Sequence, residues 1–358
     1  MSGDFIWRDA DRVVLLREDG IARAPQLLAE HGFGDFELLS TERALRSGEA
    51  SALAESAAGV NDVPGGQVPQ IAAELLEWVR APRLVALGGG RVIDTAKAIA
   101  SVSGAEVAAI PTTLSGAELT GIHRLPAGAE NRVTGLVRPS LVIAVPEAMT
   151  GLPEERLRAS AMNALAHGAD SLYTPFANPV SRMCALRGAE LIAGALDQDR
   201  GERDAAALAE GSLLCAYAID SGLFAIHHVV CQTLVRVCGS PHSGTNAAIL
   251  PRAMAFMAPR APDAIADLAS AVDTAAVRID RPIGRVKRTA PVPGELDPRW
   301  IEARILELGG NLPGLGALGA DRDRLPAAID AILARPELAH TPEAPDRLEL
   351  EALIEAAW

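Results

Sequence analysis

Cysteine is scarce. The four present, Cys184, Cys215, Cys231 and Cys238, form no CxxC pair and no disulfide framework. They read as small buried side chains in a reducing compartment. Cys231 and Cys238 are seven apart on one helix face, a spacing that core packing explains better than redox chemistry. No run approaches 18 apolar residues, so no membrane span is expected. The opening MSGDFIWRDADR lacks an apolar h-region, so no signal peptide is expected and a cytoplasmic location is the default. Positive charge is in the minority. A net charge of −13 argues against nucleic acid or an anionic membrane as a partner. What remains is ordinary for a globular chain: 358 residues, 49% hydrophobic and 22% charged, long enough for two domains.

The first 145 or so residues alternate β-rich runs with helical ones. RVVLL (12–16), FELLS (36–40), RLVAL (83–87), AEVAAIP (105–111) and SLVIAVP (140–146) read as buried strands. IARAPQLLAEHG and VPQIAAELLEWVRA lie between them as helices. Such alternation indicates a parallel, doubly wound α/β sheet. After Pro146 the texture changes to Ala- and Leu-rich segments, among them RASAMNALAHGADSLY, SRMCALRGAELIAGALDQ and LELEALIEAAW. These are strong helix formers. The expectation is an α/β domain over 1–150 and an all-α domain over 151–358. The stretch 277–298 fits neither half: it holds Arg278, Arg281, Arg285, Lys287 and Arg288 among prolines. It is either a clamp for an anion or partner, or an exposed insertion with solvated charges.

In RLVALGGGRVIDTAKAIAS a strand runs into Gly88-Gly89-Gly90 and then a helix. Without Cβ atoms the turn lets a ligand approach the backbone. The helix N-terminus offers N–H groups and a positive dipole end, which suits a pyrophosphate. IPTTLSGAELT follows the next strand and places Thr112, Thr113 and Ser115 at the carboxyl end of the sheet, where ligands of open α/β sheets bind. A tight turn or a helix cap would explain either loop alone. Together they point to a nucleotide.

The chain has only seven histidines. In MNALAHGAD, Asn163 and His167 are four apart and share one helix face. In IHHVVCQTLVRVCGSPHSGTNAAILP, His228 and Gln232 are again four apart, and His242 follows a probable helix end. His227 is rotated about 100° from His228 and cannot share its target. His167, His228 and His242 are therefore three imidazoles able to converge, in principle on zinc or iron.

The motifs GGGRVIDTAKAIA, IPTTLSGAELT, MNALAHGADSLYTPFANPVS, HHVVCQTL…SPHSGTNAAILP and EALIEAAW occur in an order that resembles the iron-containing alcohol dehydrogenase superfamily. Within it, the chain is most similar to the maleylacetate reductases. The resemblance implies an N-terminal Rossmann-like nucleotide domain, a C-terminal helical domain with a dehydroquinate synthase-like fold, and a homodimer. Metal-dependent members use an aspartate and three histidines at the positions of Asn163, His167, His228 and His242, whereas maleylacetate reductases carry asparagine at the first. Asparagine brings no negative charge, which weakens a divalent ion's hold. The implied enzyme is a metal-free reductase passing hydride from NADH or NADPH to a small carboxylated, unsaturated keto acid. Asn163, His167, His228, His242 and Gln232 would be its catalytic residues. Gly88, Gly89, Gly90, Arg91, Asp94, Thr112, Thr113 and Ser115 would bind the cofactor.

The chain also departs from the family pattern. Gln232 replaces the second histidine of the helical pair, Arg91 replaces the serine after the glycines, and Ala117 replaces the serine of a GSE element. Asn246 stands where a histidine is usual, and Arg252 takes the histidine place of LPH. Three readings stay open: the reductase with an altered substrate, a repurposed scaffold doing lyase, cyclase or condensation chemistry, and a non-catalytic binding protein using 277–298 as its contact. Coenzyme choice is open too, with Ser40 and Thr41 where an acidic residue would favour NAD, and Glu42 beside them.

Overall fold

Six consecutive residues, Arg83–Gly88, are buried or nearly so on both faces, which marks an inner strand of a parallel sheet. The computed structural model describes residues 5–9, 11–46, 50–277 and 296–358, so most of the basic stretch 277–298 lies outside the described residues. The chain forms two units, Met1–Leu152 and Pro153–Trp358. The first holds seven strands: β1 (Phe5–Asp9), β2 (Arg12–Leu16), β3 (Glu37–Ser40), β4 (Gly59–Asp62), β5 (Arg83–Gly88), β6 (Glu106–Pro111) and β7 (Leu141–Ala144). Its helices are α1 (Ala24–Glu30), α2 (Glu42–Leu45), α3 (Ser51–Ser56), α4 (Val68–Leu75), α5 (Gly90–Ser103) and α6 (Pro146–Thr150).

The sheet order is β1-β2-β7-β6-β5-β3-β4, parallel except for β1, which pairs antiparallel with β2. Alternate residues of β5 enter opposite cores. Val85 and Leu87 pack with Leu28, Leu38 and Ile110, whereas Leu84 and Ala86 pack with Ile71, Ile93 and Ile99. That alternation is what a sheet covered on both faces requires. From β5 the chain steps to β6 on one side, while β3 leads to β4 on the other, so the strand order reverses beside the glycine turn. Such a switch point is where open α/β sheets bind ligands. Sequence patterning misses β1 and β4. β4 reads GVND, with Gly, Asn and Asp all poor strand formers, and it is a strand only because it pairs with β3.

The second unit is helical throughout its described residues: α7 (Glu154–Ser171), α8 (Pro179–Leu196), α9 (Ala205–Gly222), α10 (Ile226–Cys238), α11 (His242–Met257), α12 (Pro262–Val277), α13 (Pro298–Gly309), α14 (Leu325–Leu333) and α15 (Arg347–Glu355). Glycines bring α7, α8 and α9 together. A Cβ on Gly188 would lie 2.6 Å from Cys215 Sγ and 2.8 Å from the Gly211 carbonyl oxygen. Gly188→Ala should gain ~1 kcal/mol of helix propensity, yet the backbone clash costs more. The expected net loss is about 1–3 kcal/mol, read as a Tm several degrees lower by calorimetry. No single helix among the described residues is long and apolar enough to cross a membrane; α9 and α10 pass that test only as a pair, bent by 97°.

Candidate active site

The glycine turn closes against the loop after β6. A Cβ on Gly89 would meet Thr113 Cγ2 at 2.9 Å, and one on Gly90 would meet Ser115 Cβ at 3.1 Å. A side chain at Gly89 would force Thr113 to move, and one at Gly90 would crowd Ser115. The hydroxyl oxygens of Thr113 and Ser115 are buried with no hydrogen-bond partner among the described residues. The first turn of α5 has no side-chain cap, so its leading N–H groups are unclaimed by side chains. Orphaned hydroxyls beside uncapped amides are what a phosphate would satisfy. The residues fit a dinucleotide. The Thr112 amide donates to the Gly88 carbonyl at 3.0 Å and joins the two loops. Arg91 is exposed and does not fill the turn.

Below the turn, Lys97 is fully buried. Its ammonium donates to Asp94 Oδ1 at 2.9 Å and to the carbonyls of Ala117 at 3.0 Å and Ile122 at 3.1 Å. Asp94 is thereby held by Lys97 within α5. Glu118 is buried beside this group, and neither carboxylate oxygen has a hydrogen-bond partner among the described residues. Burial pushes its pKa up to about 7, against the lowering influence of the Lys97 ammonium. A carboxyl whose folded pKa lies above its unfolded 4.5 contributes stability that is fully present below pH 4.5 and lost as pH rises through about 7. Between those limits Glu118→Gln should become more stable relative to the parent by about 3 kcal/mol. Urea denaturation at a series of pH values reads that difference, and a pH-independent difference would contradict it.

Ser40, Thr41 and Glu42 at the end of β3 are already engaged. Ser40 Oγ donates to the Leu87 carbonyl at 2.8 Å, and Thr41 Oγ1 accepts from the Ala44 amide as the N-cap of α2. Glu42 pairs with Arg46.

In the second unit α7 presents Asn163 and His167, and α10 presents His228. The His167 and His228 rings stack with centroids 5.1 Å apart and planes 20° from parallel. Three buried atoms here have no hydrogen-bond partner among the described residues: Asn163 Oδ1, His167 Nδ1 and His228 Nε2. Burial, followed by the charges of His228, His242 and His227, holds the His167 pKa well below its usual value. Burial among other imidazoles thus favours the neutral ring at His167. His242 stands exposed at the start of α11, near enough to act on His167 electrostatically.

Behind the rings lies Asp170, one helical turn beyond His167 and fully buried. Its carboxylate accepts from the amides of Ala225 at 2.9 Å, His228 at 3.2 Å and His227 at 3.3 Å, from His228 Nδ1 at 2.9 Å and from the Tyr173 hydroxyl. It thus replaces a missing side-chain cap at the N-terminus of α10. Burial alone would raise its pKa, but the His228 hydrogen bond and the histidine charges hold it well below the carboxylate range. His227 packs edge-on against His228 at 4.8 Å and meets Asn246 Oδ1 at 3.0 Å through Nε2; burial and then His228 lower its pKa to about 3. It belongs to the core, off the target of His228.

Gln232 is bonded to Arg335: its Oε1 accepts from Arg335 at 2.9 Å, while Arg335 also holds Glu337. Arg252 donates to the Ala356 carbonyl at 2.9 Å and pairs with Glu302, tying α11 to α13 and to the end of α15. Sequence reasoning left out Asp170, Glu118 and Arg335 as site residues. Asp170 carried a usable signal, since i, i+3 from His167 puts it on the same face.

Residues 16–120 match the family described as "Iron-containing alcohol dehydrogenase", and residues 158–286 match "Fe-containing alcohol dehydrogenase family, C-terminal". Maleylacetate reductase 1 of Rhodococcus opacus is 32% identical over 300 residues, 82% of this chain and 77% of that protein. The maleylacetate reductase of Burkholderia cepacia is 29% identical over 94% of this chain and 96% of its own length. The crystal structure of maleylacetate reductase from Agrobacterium tumefaciens superposes with a TM-score of 0.77 at 26% identity, covering 100% of this chain and 99% of the other.

Proposed function

The chain belongs to the iron-containing alcohol dehydrogenase family and is an oxidoreductase of that family, and from that premise we propose that it reduces a small carboxylated, unsaturated keto acid with NADH or NADPH and needs no metal. One observation carries the reading. Asn163 Oδ1, His167 Nδ1 and His228 Nε2 are buried and unpaired, and an uncharged amide with two imidazoles suits a polar organic substrate better than a divalent ion. Asn163 supplies no charge. Nearly parallel stacked rings aim their in-plane lone pairs along neighbouring planes instead of at one point, whereas a metal needs its ligands to converge.

The bound nicotinamide supplies the hydride. Gly88, Gly89 and Gly90 would let the dinucleotide approach the backbone, while Thr113, Ser115 and the first turn of α5 would hold its phosphates. His167, kept neutral, hydrogen-bonds the substrate without adding charge to a buried site. In its protonated form His228 would deliver a proton to substrate oxygen from Nε2. A homodimer is part of the same proposal and corresponds to twice the 37.3 kDa chain mass in solution.

The test is a fluorescence titration of chelator-treated protein with NADH and then NADPH, followed by loss of nicotinamide absorbance on adding unsaturated keto acids. Saturable binding and turnover without metal are expected, and Gly89→Ala should abolish the binding while the fold persists. Turnover that appears only after iron or zinc is restored would overturn the metal-free reading. Failure of folded protein to bind either nucleotide would overturn the reductase reading.

A further inference from the structure

We propose that Asp170 is a positioning residue that sets the tautomer and aim of His228. Neutral imidazole carries one proton on either nitrogen, and the group bonded to one nitrogen decides which face the other presents. Asp170 is an acceptor only: four of its five partners are N–H groups or a hydroxyl. The fifth contact, to His228 Nδ1 at 2.9 Å, is therefore a donation from Nδ1–H. In the neutral ring Nε2 must then hold the lone pair. That nitrogen is the buried atom left without a partner.

The backbone makes the arrangement stiff. The carboxylate that accepts from the ring also accepts from the amides of Ala225, His227 and His228. Ring and helix start are thus anchored to one side chain on α7, 58 residues away in sequence. His167, stacked on the other side of the ring, limits rotation about χ2. A histidine held by a carboxylate in this way keeps both orientation and basicity. When the protonated ring gives its Nε2 proton to substrate oxygen, the N–H bond breaks, its electron pair stays on Nε2 and the ring returns to the Nδ1–H tautomer already bonded to Asp170. The proposal rests on the reading of His228 as the residue that meets substrate, but its test reads the ring itself.

The experiment uses full-length protein with ¹⁵N-labelled histidine and long-range ¹H–¹⁵N spectra recorded over a series of pH values, the His228 signals assigned by their absence in His228→Gln. The wild type should show a protonated Nδ1 and an unprotonated Nε2. Asp170→Ala, checked for folding by circular dichroism, should show mixed tautomers with kcat about 100-fold lower and KM within a few-fold. Asp170→Glu should restore the Nδ1–H tautomer and part of kcat. An Nε2–H tautomer in the wild type overturns the proposal whether or not any variant folds. So does an unchanged tautomer in folded Asp170→Ala. Either result would leave the reductase reading intact, because that stands on cofactor binding and turnover.

Discussion

Replacing His228 with alanine should lower kcat by about 10²–10⁴-fold, the range of general acid catalysis, while the protein stays folded. The side chain makes one side-chain hydrogen bond, to Asp170, and that carboxylate keeps the amides of Ala225, His227 and His228 and the Tyr173 hydroxyl as donors. The Asp170 anion thus loses one partner of five and remains solvated by the others, so the stability cost is that of one hydrogen bond and a small cavity. Nucleotide affinity should not change, because the residues proposed to hold the dinucleotide belong to the first unit. Steady-state kinetics beside a nucleotide titration separates these effects. A variant with kcat within threefold of the parent would remove His228 from the chemistry.

Lys97→Met should destabilise the first unit by about 2–6 kcal/mol, the cost of leaving two carbonyl acceptors without their donor. Methionine fills much of the same volume, so the loss is electrostatic more than steric. It leaves the Ala117 and Ile122 carbonyls without the ammonium that satisfies them, inside a region where Lys97 itself is fully buried. Each orphaned acceptor costs about 1–3 kcal/mol. Asp94 loses its partner too, but it is partly exposed and water can replace the ammonium there. Because the same carbonyls fix the loop carrying Thr113 and Ser115, nucleotide affinity should fall as well. Chemical denaturation and a nucleotide titration check the two consequences. Unchanged stability would mean that the loop holds its shape without Lys97.

The sequence by itself determined the inner sheet, the glycine turn, the helical second half and the placing of Asn163 and His167 four apart on one helix. All of these are local: they depend on burial alternating along a strand, on the missing Cβ atoms of Gly89 and Gly90, or on a four-residue repeat along α7. Only the tertiary structure decided what surrounds them. Periodicity says nothing of Gln232 turning to Arg335, 103 residues on, or of Arg252 reaching the Ala356 carbonyl. It is equally silent on β4, whose Gly, Asn and Asp become a strand through the hydrogen bonds of β3. Asp170 shows the difference most directly. Its place on the histidine face of α7 is readable from spacing, but its work is done across 55 to 58 residues of chain, on amides that α10 leaves uncapped. A buried anion can stay ionised only where donors converge on it, and convergence is a property of the folded chain.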